Sequence, residues 1–247
     1  MKVIADYHTH TRYSHGTGTI EENVVSAIQK GLQQIAITDH GPQYSTYGIN
    51  ACDFKEMKET IHRLNEKYAG VIEILLGIEA NIIDERGTLD IDDVILKDCD
   101  ILLAGFHFDI VYKDFLQEIR VQLRRGQQLK SKLAENLYME IKSRNTKAIL
   151  HSMDMYKIDI ITHPGDNQPI HLAQIAKAAG TRNTALEINN FHRCLSASQI
   201  KEAMEFPEVH FVISSDAHRP RDVGNFMGAL KILQKSGLDI NRIRNVK

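Results

Sequence analysis

Seven short apolar runs rich in β-branched residues alternate with helical patterns, and this alternation constrains the fold more than any other feature of the chain. The runs lie at 3–7, 34–38, 71–77, 100–104, 158–162, 185–188 and 210–214. Each is near-continuously hydrophobic, as a strand covered on both faces must be. Between them, Ile20, Val24, Ala27 and Ile28 form an apolar stripe with Gly31 as the helix stop. Phe54, Met57, Ile61 and Leu64 mark a second helix over 54–68, and Leu133, Leu137 and Ile141 a third. Further helices are expected over 170–179, ended by Gly180, over 198–206 and over 226–233. The interval between the fourth and fifth runs is the longest and is expected to carry two helices. Strand then helix, repeated, predicts a parallel α/β sheet. With 247 residues, 43% of them hydrophobic, and no linker or low-complexity stretch, the chain reads as a single domain over 1–247.

The polar residues that end each run choose between an open sheet and a barrel. The runs end in His8-Thr9-His10, Thr38-Asp39-His40, Glu79-Ala80-Asn81, His107-Phe108-Asp109, His163-Pro164-Gly165-Asp166, Glu187-Ile188-Asn189-Asn190 and Asp216-Ala217-His218. An open sheet gathers its ligands at one switch point, whereas a barrel brings every strand's C-terminal end to one central site. Site-like residues at all seven ends predict a barrel-like, seven-stranded sheet.

The chain has 12 histidines and no tryptophan, so the histidines are not part of a general aromatic enrichment. His8 and His10 are two apart at a strand end and point the same way. Together with His15, His40, Glu79, His107, His163, Asp216 and His218 they exceed what one zinc-like ion uses, which is usually about four ligands. Two or three ions are expected, with Glu79 or Asp216 bridging them. Close ions of this kind suit phosphoryl transfer, because they generate hydroxide at neutral pH and neutralise the attacking and leaving oxygens. Asp6 and Asp39 precede ligand positions and are expected to hold an imidazole tautomer or close the sheet end; Asp109 and Asp166 follow ligand positions and are expected to do the same. His62, His151, His171 and His210 read as structural or exposed, and His192 faces the site side, where it either touches substrate or is an exposed loop residue.

A net charge of −2 disfavours an extended nucleic-acid surface. No apolar run is long enough to span a membrane, and three scattered cysteines, Cys52, Cys99 and Cys194, suit a reducing compartment. With no signal peptide ahead of the first run, cytoplasmic placement is expected.

The D-Y-H-T-H start, His15, T-D-H at 38–40, G-I-E-A-N at 77–81, G-F-H at 105–107, I-T-H-P-G at 161–165 and S-D-A-H at 215–218 stand in the order of a known family. The chain resembles the PHP (polymerase and histidinol phosphatase) family, and in particular its small stand-alone bacterial phosphatases. The resemblance covers about residues 3 to 228 and implies a distorted, TIM-like (β/α)7 barrel with the metal site at the strands' C-terminal ends. It also implies that all nine residues are ligands of a trinuclear centre, usually zinc, with manganese and iron also found in the family. Its implied reaction is hydrolysis of a phosphate ester, most simply a small phosphomonoester, by a metal-bridging hydroxide. Glu79, Asp216 and His218 are then catalytic as well as ligating. Arg12, Arg193 and Arg219 are candidate phosphate clamps, since Arg makes bidentate phosphate contacts, and His192 is a fourth substrate-binding candidate. The substrate stands open among histidinol phosphate, a nucleotide, a short oligonucleotide end and a generic monoester.

Three other functions compete. A phosphodiesterase or nuclease would use the same ligands. An amidohydrolase barrel also opens with HxH, but it bridges two metals with a carboxylated lysine at the fourth strand, where this chain has His107. A non-catalytic, metal-loaded PHP subunit would bind ions without turnover.

Overall fold

A computed structural model describes residues 1–44, 46–107, 132–166, 168–192 and 194–247. Seven parallel strands stand in sequence order: β1 (Ala5–Asp6), β2 (Gln34–Ile37), β3 (Glu73–Asn81), β4 (Ile101–Gly105), β5 (Ile160–Ile161), β6 (Ala185–Asn189) and β7 (His210–Ser214). Helices on the connections are α1 (Ile20–Gln29), α2 (Ala51–Lys67), α3 (Asp93–Asp98), α4 (Lys132–Met155), α5 (Leu172–Thr181), α6 (Ala197–Met204) and α7 (Met227–Ser236). The predicted distorted (β/α)7 barrel is the fold observed.

The period of two along each strand divides the core into layers. Leu102, Ala104, Leu186, Ile188, Phe211 and Ile213 belong to the layer that meets the helices. The alternate residues Ala36, Leu103, Ala185 and Val212 pack on one another inside the barrel. Continuing the inner parity upward carries β6 from Ala185 to Glu187 and Asn189, and β3 from Leu75 to Gly77 and Glu79. Buried apolar residues therefore fill the bottom of the barrel, and polar residues of the same strand faces crown it.

Local chemistry sets the helix ends. Thr19 and Glu22 make a reciprocal capping box at the start of α1, as Asn50 and Asp53 do for α2 and Ser196 and Gln199 for α6. Gly31 ends α1 in the left-handed conformation at φ 70°, where glycine carries no Cβ penalty.

The structure corrects several expected boundaries. The third strand begins at Glu73, leaving Val71 56% exposed, and it runs on to include Glu79. The first and fifth strands shrink to two residues each. Gly180 does not stop α5, which continues to Thr181. Its lack of a side chain serves packing instead: a Cβ there would lie 2.8 Å from Cβ of Glu208 and 3.0 Å from the backbone nitrogen of Val209. α3 was not expected; Asp92 caps it by accepting from the backbone N–H groups of Val94 and Ile95. The expectation of two helices between the fourth and fifth strands falls partly on residues 108–131, outside the described residues, and the helix described there, α4, is one 24-residue element.

No strand ladder joins β7 back to β1 among the described residues. Thr9 and Ala217 form a single parallel bridge there, with the N–H of His10 donating to the Ala217 carbonyl at 2.8 Å. Below it the C-terminal segment fills the seam. Asn245 is fully buried; its Nδ2 donates to the carbonyls of Ala5 at 2.8 Å and Ile213 at 2.7 Å, and its Oδ1 accepts from the Ile213 N–H at 3.1 Å. One side chain thus supplies the hydrogen bonds that a strand edge would otherwise leave unmade.

Candidate metal centre

All nine predicted ligand residues meet at the C-terminal mouth of the barrel. Glu79, from β3, stands at the centre. Its Oε2 lies 3.2 Å from His8 Nε2, 3.5 Å from His10 Nε2 and 3.1 Å from His40 Nδ1. Its Oε1 lies 3.2 Å from His107 Nε2 and 3.0 Å from His163 Nε2. Each oxygen of one carboxylate therefore faces its own set of imidazoles. Asp216 Oδ1 lies 3.3 Å from His10 Nε2 and 3.6 Å from His8 Nε2. His15 and His218 close the far side, their Nε2 atoms in contact.

The donor set fits metal ions on three observations. First, ligand atoms converge: those of His10, His15 and His40, of His8, His10 and Asp216, and of His40, Glu79 and His107 form three groups, each within 4.8 Å of one another. Second, imidazole nitrogens face each other, at 3.1 Å for His8 and His10 and 3.2 Å for His107 and His163. The ring nitrogens on the other side are already committed: His8 Nδ1 to Glu187 at 2.7 Å, His107 Nδ1 to Asn81 Oδ1 at 2.6 Å and His218 Nδ1 to the Asp216 carbonyl at 2.9 Å. In the neutral rings the Nε2 lone pairs then point inward, as in metal-binding histidines. Third, Glu79 Oε2 and Asp216 Oδ1 are buried and face several imidazole nitrogens at once, at 3.1–3.6 Å, with no hydrogen bond of good geometry, an arrangement that a shared cation satisfies.

Electrostatics divides the imidazoles into two groups. Burial pushes His10 down to about 4 and His15 to about 3, and holds His40 well below its usual value, so all three are neutral at pH 7. Burial also pulls on His163, but its hydrogen bond to Glu79 and the surrounding carboxylates outweigh it and leave the ring at about 9. His8 is likewise raised, against burial, by Asp216, Glu79 and Glu187. Both His163 and Asp216 hold non-glycine backbone in the left-handed region, at φ 26° and 54°. Such strain costs about 1–3 kcal/mol and collects at functional sites.

The two carboxylates at the first strand ends shape loops. Asp39 accepts from the backbone N–H groups of Thr11 at 2.8 Å and Ser14 at 3.2 Å and from both hydroxyls, folding the turn that delivers His15. Asp6 accepts from the N–H groups of Ser215 at 3.1 Å and Gly224 at 2.8 Å, anchoring the loop of Asp216 and His218. Of the two roles expected for them, they close the sheet end. Glu187 takes the imidazole role for His8, and it also accepts from the backbone N–H of His163 at 2.6 Å. Asn81, itself held by buried Asp90 at 2.6 Å, does the same for His107. Sequence reasoning placed Glu187 and Asn81 at strand ends and gave them no role; Asp90, in a loop, carried no signal.

The remaining candidates scatter. His192 lines the pocket, its Nδ1 2.8 Å from Asp166 and its Nε2 3.4 Å from Asp216. Asp166 is thus oriented toward His192. Arg219 turns to Asp222 at 2.8 Å, and Arg12 is exposed; neither lines the pocket. Arg193 and Asp109 lie outside the described residues. His62 and His151 sit on helices with exposed rings, as expected. The cavity measures about 280 Å³, and Tyr44, Phe106 and Phe191 share its wall.

A parallel barrel with converging imidazoles and carboxylates at its strand ends defines a metal-dependent enzyme of the phosphoesterase kind. The sequence matches the PHP domain over residues 6–191, and the chain belongs to the PHP (polymerase and histidinol phosphatase) family. It is 35% identical over 255 residues to a Thermoanaerobacter sp. (strain X514) protein named "Probable phosphatase", with 99% of this chain and 91% of that one covered. It is 31% identical over 254 residues to a Shewanella loihica protein of the same name, covering 99% and 90%. Its fold is shared with the crystal structure of histidinol phosphate phosphatase from Lactococcus lactis subsp. lactis Il1403, complexed with zinc, L-histidinol and phosphate, at a TM-score of 0.63. That likeness spans 95% of this chain and 94% of that one at 16% identity, and it is a likeness of fold.

Proposed function

We propose that this metal-dependent phosphoesterase hydrolyses a small phosphomonoester at a centre of three divalent ions, zinc first among them. The ions would be held by His8, His10, His15, His40, Glu79, His107, His163, Asp216 and His218. One observation carries the reading: Glu79 presents one oxygen to His8, His10 and His40 and the other to His107 and His163. A carboxylate so placed suits a shared ligand between neighbouring ions. When bound, such ions activate water and neutralise phosphoryl charge. The phosphatase names of the relatives and the zinc and phosphate of the Lactococcus lactis structure support the same choice.

The chain's own groups do the rest. Asp216 and Glu79 fix the imidazoles around them, and His218 closes the centre beside His15. His192, aimed by Asp166, is placed to hydrogen-bond a phosphoryl oxygen. Tyr44, stacked 4.4 Å from the His40 ring, and Phe106 wall the pocket and limit water. Neither Arg12 nor Arg219 lines the cavity, so neither supplies the expected phosphate clamp.

No described helix is long and apolar enough to cross a membrane. Three free cysteines support cytoplasmic placement as part of this proposal, which takes the 247 residues as one domain. The test is metal analysis and turnover of His107→Ala and Asp216→Ala. Both variants are expected to lose ions and activity together; retention of metal and rate would remove these residues from the ligand set.

A further inference from the structure

We propose that the leaving group of the substrate carries a flat aromatic ring, and that this ring stacks on Phe191 at the mouth of the metal pocket. The proposal rests on the phosphoesterase reading and names the substrate class of that site.

Phe191 is 61% exposed, yet its backbone is held from below. The Oδ1 of buried Asn189 accepts from the backbone N–H of Phe191 at 2.8 Å and of His192 at 2.9 Å. The Nδ2 of the same side chain donates to Glu187 and to Asp216, both at 3.0 Å. An exposed apolar side chain is by itself ordinary. This one is tied by a single buried amide to a carboxylate of the candidate metal centre, and it lines the pocket.

The ring forms part of the pocket wall, beside the imidazole cluster. Its centroid is 5.3 Å from that of His218, tilted 33°, and 5.1 Å from His192. The run of rings continues from His218 to His15 at 4.1 Å and from His15 to Tyr47 at 5.4 Å. A phosphoryl group held among the imidazoles therefore projects its ester substituent against aromatic faces, at spacings that suit ring–ring contact.

The test compares phenylphosphonate with methylphosphonate by calorimetry on the metal-loaded protein. The wild type is expected to bind the phenyl compound about tenfold more tightly, the order of one good ring–ring contact. Phe191→Ala is expected to bring that ratio close to one with metal content unchanged, Phe191→Trp to keep it, and Phe191→Leu to lose most of it. A wild-type ratio near one, an unchanged ratio in Phe191→Ala, a fully retained ratio in Phe191→Leu, or no binding of either compound would overturn the proposal. Turnover of phenyl phosphate by the wild type is read separately: its absence removes the phosphoesterase reading, and the phosphonate ratios still decide the ring.

Discussion

The Nδ1 of His8 lies 2.7 Å from the carboxylate of Glu187, and both side chains are wholly buried. The contact fixes the outer face of the imidazole and turns Nε2 toward Glu79 and His10. Burial opposes ionisation of Glu187, but His8 and His163 outweigh it and hold the carboxyl below its usual range. Partners of this kind are worth about 10–100-fold in metal affinity. Glu187→Gln is therefore expected to keep the fold and weaken ion binding by that factor, read from competition with a chromophoric chelator. Unchanged affinity would show that Glu187 serves packing alone.

Metal loading should release protons. Without ions, His163 sits at about 9 and His8 well above its ordinary value, so both carry a proton at pH 7, while His10, His15 and His40 do not. An imidazole must lose its proton to bind an ion. Apparent metal affinity is thus expected to rise with pH through about 9, where His163 gives up its proton. The metal-free protein has the opposite sign. A raised histidine stabilises the fold fully below its unfolded value of about 6.5. That stability is lost as pH climbs through about 9. Calorimetry in buffers of different ionisation enthalpy counts the protons; release of none at pH 7 contradicts this account.

Asn245 is expected to matter for stability and not for chemistry. Its amide makes three hydrogen bonds across the seam between β1 and β7. Removing it leaves buried backbone groups unpaired, at about 1–3 kcal/mol each when no water replaces the partner. Asn245→Ala should lower the thermal midpoint by several degrees while leaving turnover per folded molecule intact. An unmoved midpoint would show that the seam closes without it.

Asp39 is expected to act through His15. Its oxygens hold the turn of Thr11 and Ser14. Asp39→Ala should free that turn, lower the number of bound ions by one and cut kcat by at least about tenfold, which is 1.4 kcal/mol in the barrier. Full metal stoichiometry in this variant would detach the turn from the centre.

Much of this architecture was readable from the chain. The seven apolar runs became seven strands in order, because a strand covered on both faces leaves an unbroken hydrophobic signature. The cluster was legible because a histidine or carboxylate at every strand end is a pattern that a packed core has no use for. Strand length was less legible: β3 runs through Glu79 because ladder pairing with β4 continues to Asn81 and Gly105, a tertiary fact. Gly180 looked like a stop and proved to be a point of close approach. The roles of Glu187, Asn81 and Asp90 were hidden, since a carboxylate that steadies an imidazole has the same sequence appearance as any buried acid. Arg12 and Arg219 were plausible by nearness in sequence, but their side chains do not reach the cavity.

The central claim is tested most directly by offering the metal-loaded protein para-nitrophenyl phosphate and bis-para-nitrophenyl phosphate, before and after chelation. The account predicts turnover that prefers the monoester, disappears with the chelator and returns when divalent ions are restored. No turnover of either ester with ions still bound would contradict it, and preference for the diester would contradict the phosphomonoester assignment.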